Sequence, residues 1–89
     1  MPLTVSIVSP EQILFQGEAD MVVARTTAGD AAFLAGHAPY LASLAAGQVR
    51  VVSAQTDIAV ADVDGGFIEI SNNTVTVLTD RATLQTSAV

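Results

Sequence analysis

Residues 65–80 read Gly65-Gly66-Phe67-Ile68-Glu69-Ile70-Ser71-Asn72-Asn73-Thr74-Val75-Thr76-Val77-Leu78-Thr79-Asp80, and this pattern describes a complete β-hairpin. Two alternating, β-branched-rich runs flank Asn72-Asn73. Asparagine tolerates the positive φ that both central positions of a two-residue type I′ turn require. Closing the chain about that turn pairs Ser71 with Thr74, Ile70 with Val75, Glu69 with Thr76, Ile68 with Val77 and Phe67 with Leu78. One face is then Ile68, Ile70, Val75 and Val77, and the other is polar apart from a Phe67–Leu78 pair at its base. A slip of one residue scrambles that segregation, so the pattern specifies the register. Asn72-Asn73-Thr74 also matches a glycosylation sequon, but a turn explains it.

The rest of the chain is equally strand-like. Leu3, Val5 and Ile7 alternate with Thr4 and Ser6, and Ser9-Pro10 ends that run. Ile13 to Gln16 and Ala19 to Arg25 are two further extended runs, expected to be separated by a bulge or bend at Gly17. Met21 to Ala24 is apolar on both faces and is expected to be interior. Thr26 to Gly29 is a turn, and Asp30 to Leu34 a short strand ending at Gly36. Residues 36–47 leave two readings open. Propensity favours a helix, with Pro39 in the first turn and Gly47 past the end, although nine or ten residues is marginal for one. Gln48 to Ser53 and Asp57 to Val63 form a second hairpin, with Val51 expected opposite Ile58 and Val49 opposite Val60. Its loop is either Ala54-Gln55 or, as the poor fit of Ala and Gln to positive φ suggests, the four residues Ser53 to Thr56. About 8–10 short strands at this spacing predict an all-β fold, an antiparallel β-sandwich or flattened barrel.

At 89 residues the chain is expected to be a single domain, with a β-sandwich over 1–82 and a short tail over 83–89. A domain of that size buries roughly 60% of its unfolded surface, so its core is thin. There is no cysteine to staple it, and the 51% hydrophobic content is mostly aliphatic. Three arginines, no lysine and nine acids give a net charge of −6. Nucleic acid is an improbable partner for such a chain, because phosphate neutralisation needs clustered cations. Basic protein surfaces are its complement. No signal peptide or membrane-length apolar run is visible, which predicts a cytoplasmic protein.

The chemistry-bearing residues are sparse. His37 is the one histidine, which excludes a His-rich metal site. It reads as a loop histidine bonded to backbone or as a partner contact. Ser, His and Asp occur without a nucleophile elbow. Gly65-Gly66 lacks the Lys-Ser/Thr of a phosphate loop and reads as a bend between strands. Asp57, Asp62 and Asp64 lack calcium-loop spacing and read as a solvated sheet edge. No catalytic, cofactor-binding or metal site follows from these residues.

Gly36-His37-Ala38-Pro39, then Gly65-Gly66-Phe67-Ile68-Glu69-Ile70, then Asn73-Thr74-Val75-Thr76-Val77-Leu78-Thr79-Asp80 together resemble the epsilon subunit of the F-type proton-translocating ATP synthase. Val5 through Pro10-Glu11 and Phe15-Gln16-Gly17-Glu18-Ala19 agree with the same family, so the likeness covers about residues 3 to 82. It implies an N-terminal β-sandwich of about ten strands in which Tyr40 to Ala46 is extended. It also implies a non-catalytic rotor part coupling the gamma subunit to the c-ring during ATP synthesis, at the cytoplasmic face of the bacterial inner membrane. By that resemblance Thr27, Ala28, Gly29 and Asp30 face basic loops of the c-ring. Ser9, Pro10, His37, Ala38, Pro39, Tyr40 and Leu41 match the gamma-contact segments, with Ser9 and Pro10 near the others.

The family usually has Gly at position 32 and Pro at position 35, where this chain has Ala32 and Ala35. Its C-terminal helical hairpin, which restrains hydrolysis and in some members binds ATP, is expected to be absent, because 83–89 cannot form a stable helix. No ATP binding and no cofactor are therefore expected. The alternative reading is a stand-alone β-sandwich module that binds a small ligand or a peptide.

Overall fold

The computed structural model describes residues 2–85 as nine β-strands, with no helix among them. They are β1 (Leu3–Val8), β2 (Ile13–Ala19), β3 (Met21–Thr26), β4 (Gly29–Leu34), β5 (Tyr40–Ser53), β6 (Thr56–Val63), β7 (Gly66–Ser71), β8 (Thr74–Leu78) and β9 (Ala82–Gln85). Of the tail expected over 83–89, residues 86–89 lie outside the described residues. The strand order is β2-β1-β8-β7-β5-β3-β4, with β6 beside β5 and β9 beside β6. Every pairing is antiparallel except β1 with β8, which run parallel.

β5 makes two layers out of one sheet. Tyr40 to Leu44 pair with β7, whereas Gly47 to Ser53 pair with β6. The sheet therefore curls over along this 14-residue strand. Its inner faces meet in a single core. Val5, Ile7, Ile68, Ile70, Val75 and Val77 come from one layer, and Val22, Phe33, Val49, Val51, Ala59, Ala61 and Val63 from the other. All-β architecture is what the alternation predicted, and the 65–80 hairpin has the expected register at all five pairs.

Of the two readings left open for Tyr40 to Ala46, the extended one that the family resemblance implies holds, and three other local expectations are corrected. The segment Tyr40 to Ala46 is strand. Its backbone pairs with Ile70 to Gly66, and that ladder outweighs a propensity difference of a few tenths of a kcal/mol per residue. Gly17 neither bulges nor bends β2, since it pairs regularly with Val5 and the unpaired extra residue is Leu14. A side chain at position 17 would press on the Phe15 ring, with its Cβ 3.3 Å from Cζ, so the glycine serves packing.

The second hairpin turns through Ala54-Gln55 alone, with φ of 52° and 63° and Ser53 opposite Thr56. An irregularity beyond Val52–Asp57 leaves Ile58 without a partner, so Val51 faces Ala59 and Val49 faces Ala61, not Ile58 and Val60. Finally, Asp62 lies on no free edge, because there β6 is flanked by Gln48 of β5 and Thr83 of β9. Asp57 lies outside the described β6–β9 ladder and pairs with Arg50 at 3.7 Å.

Candidate functional site

The turn joining β3 to β4 presents Thr27, Ala28, Gly29 and Asp30 to solvent. Its shape is set by Thr26, a buried residue whose hydroxyl donates to the Gly29 carbonyl at 2.7 Å and accepts from the Ala28 amide at 3.2 Å. The Thr27 amide donates to the Ser43 carbonyl at 3.0 Å, which ties the turn to β5. Asp30 lies directly opposite Arg25 in the ladder. Arg25 Nε donates to Asp30 Oδ1 at 3.2 Å, with the two side chains 60% and 72% exposed. The acid on this tip thus stands beside a cation of its own chain. Sequence reading missed that partner, although two residues flanking a tight turn are the natural ones to meet.

The far end of β4 leads into the Gly36-His37-Ala38-Pro39 loop. Here His37, Phe33 and Tyr40 form an aromatic trio, with ring centroids 5.2 Å apart for Phe33–His37, 5.5 Å for Phe33–Tyr40 and 5.8 Å for His37–Tyr40. Phe33 is buried at 2% exposure and anchors the other two rings at the surface. The edge-on geometry of His37 against both neighbours is the arrangement that ring quadrupoles favour. His37 Nδ1 donates to the Ala38 carbonyl at 2.7 Å, as a carbonyl can only accept. Of the two roles read for His37, the backbone-bonded one is therefore present in the structure. Tyr40, Leu41 and Leu34 add exposed apolar surface beside it.

Ser9 and Pro10 do not join that group. They follow β1 at its other end, where the Ser9 amide and hydroxyl both donate to the Gln12 carbonyl, at 2.9 and 3.3 Å. Tyr40 pairs at Ile70 of β7, whereas Ser9 adjoins the Leu78–Phe67 pair. These positions are three residues apart along β7, roughly 10 Å at strand rise.

Ser9 and Pro10 instead flank an apolar row that sequence reading only half found. Ile13, Val8, Leu78 and Phe67 follow one another across β2, β1, β8 and β7 in direct register. Ile13, Leu78 and Phe67 are exposed. Val8, Leu78 and Phe67 of this row line a groove of about 340 Å³ together with Pro10 and Gly66. The Phe67–Leu78 pair on the polar face of the hairpin was the available signal. Its extension onto β1 and β2 needs the parallel β1–β8 pairing, which alternation alone does not reveal. Asp80 and Glu11 border the row beside a second hollow that Asp62, Asp64 and Arg81 also line.

This surface offers contact area and charge, not convergent catalytic groups. Residues 2–85 match the family model for the β-sandwich domain of the ATP synthase delta/epsilon chain. The chain belongs to that family. As a delta/epsilon sandwich domain it is 52% identical over 84 residues to the ATP synthase epsilon chain of Frankia casuarinae, an alignment that covers 94% of this chain and 99% of that one. It is 40% identical to the epsilon chain of Leptospira borgpetersenii, over 93% of this chain and 65% of the relative.

Among solved structures it superposes on a chain of the Euglena gracilis mitochondrial ATP synthase with a TM-score of 0.85 at 21% identity. That match covers 93% of this chain and 53% of the other. At such identity the superposition shows the shared sandwich. The relatives named here are all ATP synthase subunits or chains of ATP synthase complexes, and none of them favours a free-standing ligand- or peptide-binding module.

Proposed function

We propose that this chain joins the gamma subunit to the c-ring in the central stalk of an F-type ATP synthase, passing rotation between them without chemistry or nucleotide binding of its own. It would sit peripherally at the cytoplasmic face of the bacterial inner membrane. Family membership supports the complex, and the placement of two surfaces at opposite ends of β4 supports the division of contacts.

At one end the tip of Thr27, Ala28, Gly29 and Asp30 presents a carboxylate suited to cationic ring loops. At the other, His37, Ala38, Pro39, Tyr40 and Leu41 present aromatic and aliphatic area suited to gamma, and Ser9 and Pro10 lead into the apolar row. An exposed apolar patch of this kind marks a protein interface. The observation that carries the reading is that the two surfaces lie at the two ends of one short strand, the tip where β4 begins and the loop that leads from β4 into β5. A load at one end reaches the other through β4 and its ladder with β3.

Replacing Asp30 with Lys reverses the tip's charge and sets it against cationic loops. Membrane vesicles with that variant are expected to make less ATP per proton translocated. Unchanged coupling would overturn the role given to Asp30.

A further inference from the structure

Asn73 makes two bonds that the hairpin turn does not need. Its backbone carbonyl accepts from the Thr4 amide at 2.8 Å, and its side-chain Oδ1 accepts from the Gly36 amide at 2.6 Å. The first ties the turn to β1. The second reaches 37 residues back along the chain. Since an amide N–H requires an acceptor, the oxygen of the carboxamide, not its nitrogen, must face Gly36.

Gly36 is where the chain leaves β4, with φ at 84°, and the next amide, His37, bonds back to the Leu34 carbonyl at 3.1 Å. The loop is therefore pinned at two consecutive amides, one by its own strand and one by Asn73. Immediately after this double pin come the His37 ring and its edge contacts with Phe33 and Tyr40.

We propose that Asn73 is a positioning residue for the docking segment 36–41, its carboxamide latching Gly36 so that the His37 and Tyr40 rings are set on Phe33 before any partner arrives. The inference rests on the gamma contact proposed above only for its consequence, not for the latch itself. An exposed Gly36 amide would otherwise bond to water at little cost, so the bond contributes order more than stability. Ordering a loop in its bound shape lowers the conformational entropy lost on binding.

Asn72 supplies a built-in control. It has the same backbone conformation, with φ of 52° against 60° for Asn73, but only Asn73 bonds to Gly36. Asn72→Gly and Asn73→Gly both suit positive φ, and both keep the Thr4–Asn73 backbone bond. Only the second removes the latch, while Asn73→Asp retains an acceptor oxygen.

The test is NMR of the full chain, reading Gly36 amide exchange and the His37 ring signals, with affinity for the gamma subunit measured on the same four proteins. Asn73→Gly is expected to speed Gly36 exchange, move the His37 signals and weaken gamma binding by about two- to tenfold, the span that follows from the net worth of one hydrogen bond. Asn72→Gly and Asn73→Asp are expected to do none of these. Gly36 exchange and His37 signals in Asn73→Gly that match Asn72→Gly would overturn the latch. A freed Gly36 and shifted His37 with gamma affinity intact would uphold the latch and overturn the gamma contact.

Discussion

Asn72-Asn73 between β7 and β8 and Ala54-Gln55 between β5 and β6 reverse the chain with nearly the same backbone, all four residues having φ between 52° and 63°. Asparagine enters that region at small cost, while Ala and Gln lose about 1 kcal/mol or more each. The first turn is therefore self-sufficient. The second is held from outside. Asp20, between β2 and β3, accepts the Ala54 amide on Oδ2 at 2.8 Å, and its own amide donates to the Val52 carbonyl at 2.9 Å. One hairpin is specified by local chemistry and the other by the neighbour it packs beside. The core follows the same division: β7 and β8 contribute Ile and Val, and β6 contributes Ala59, Ala61 and Val63.

The largest expected effect falls on the locally specified hairpin. Ile68→Ala empties a fully buried site and should cost about 2–5 kcal/mol in urea unfolding. A cost under about 1 kcal/mol would mean that this hairpin does not carry the core. Next come the turns themselves. Installing Ala-Gln at positions 72–73 should destabilise by about 1–2 kcal/mol, while Ala54→Asn with Gln55→Gly should stabilise by a similar amount. Thermal unfolding of the two exchanges should thus move in opposite directions, and shifts of the same sign would break the comparison.

Asp20→Ala should cost about 1 kcal/mol in the native chain. Its cost should shrink in the Ala54→Asn, Gln55→Gly background, where the turn no longer depends on outside support; a double-mutant cycle reads that coupling. The smallest effect belongs to Arg25→Gln. Both partners of the Arg25–Asp30 pair are largely exposed, so its loss should change stability by less than about 0.5 kcal/mol. A larger, salt-insensitive loss would show that the pair is part of the fold rather than an accessory of the docking tip.

The same contrast explains what could be read without coordinates. The register of 65–80 was legible because the turn residues and the alternation agree. The β5–β6 register was not, because Ile58 drops out of the ladder and shifts every later pair by one, an event that no local pattern marks. Tyr40 to Ala46 has helical composition, and its strand conformation, which the family resemblance implied and propensity did not, comes from the ladder of Tyr40 to Leu44 with β7.

The candidate contacts on the β3–β4 tip and on the 36–41 loop came from family resemblance, and the structure adds Arg25 to the first and Phe33 to the second. In the sequence, Phe33 is one more apolar residue of a short strand. Its placement under His37 and Tyr40 depends on where the loop after β4 turns back.

The central proposal, that the ring contact and the gamma contact lie at the two ends of β4, can be tested by site-directed cross-linking in the assembled enzyme. The chain has no cysteine of its own, so a single introduced thiol reports one position. Asp30→Cys should cross-link to a c subunit and Leu41→Cys to gamma, each without the other product. Asp30→Cys captured by gamma, or Leu41→Cys by the ring, would contradict the assignment.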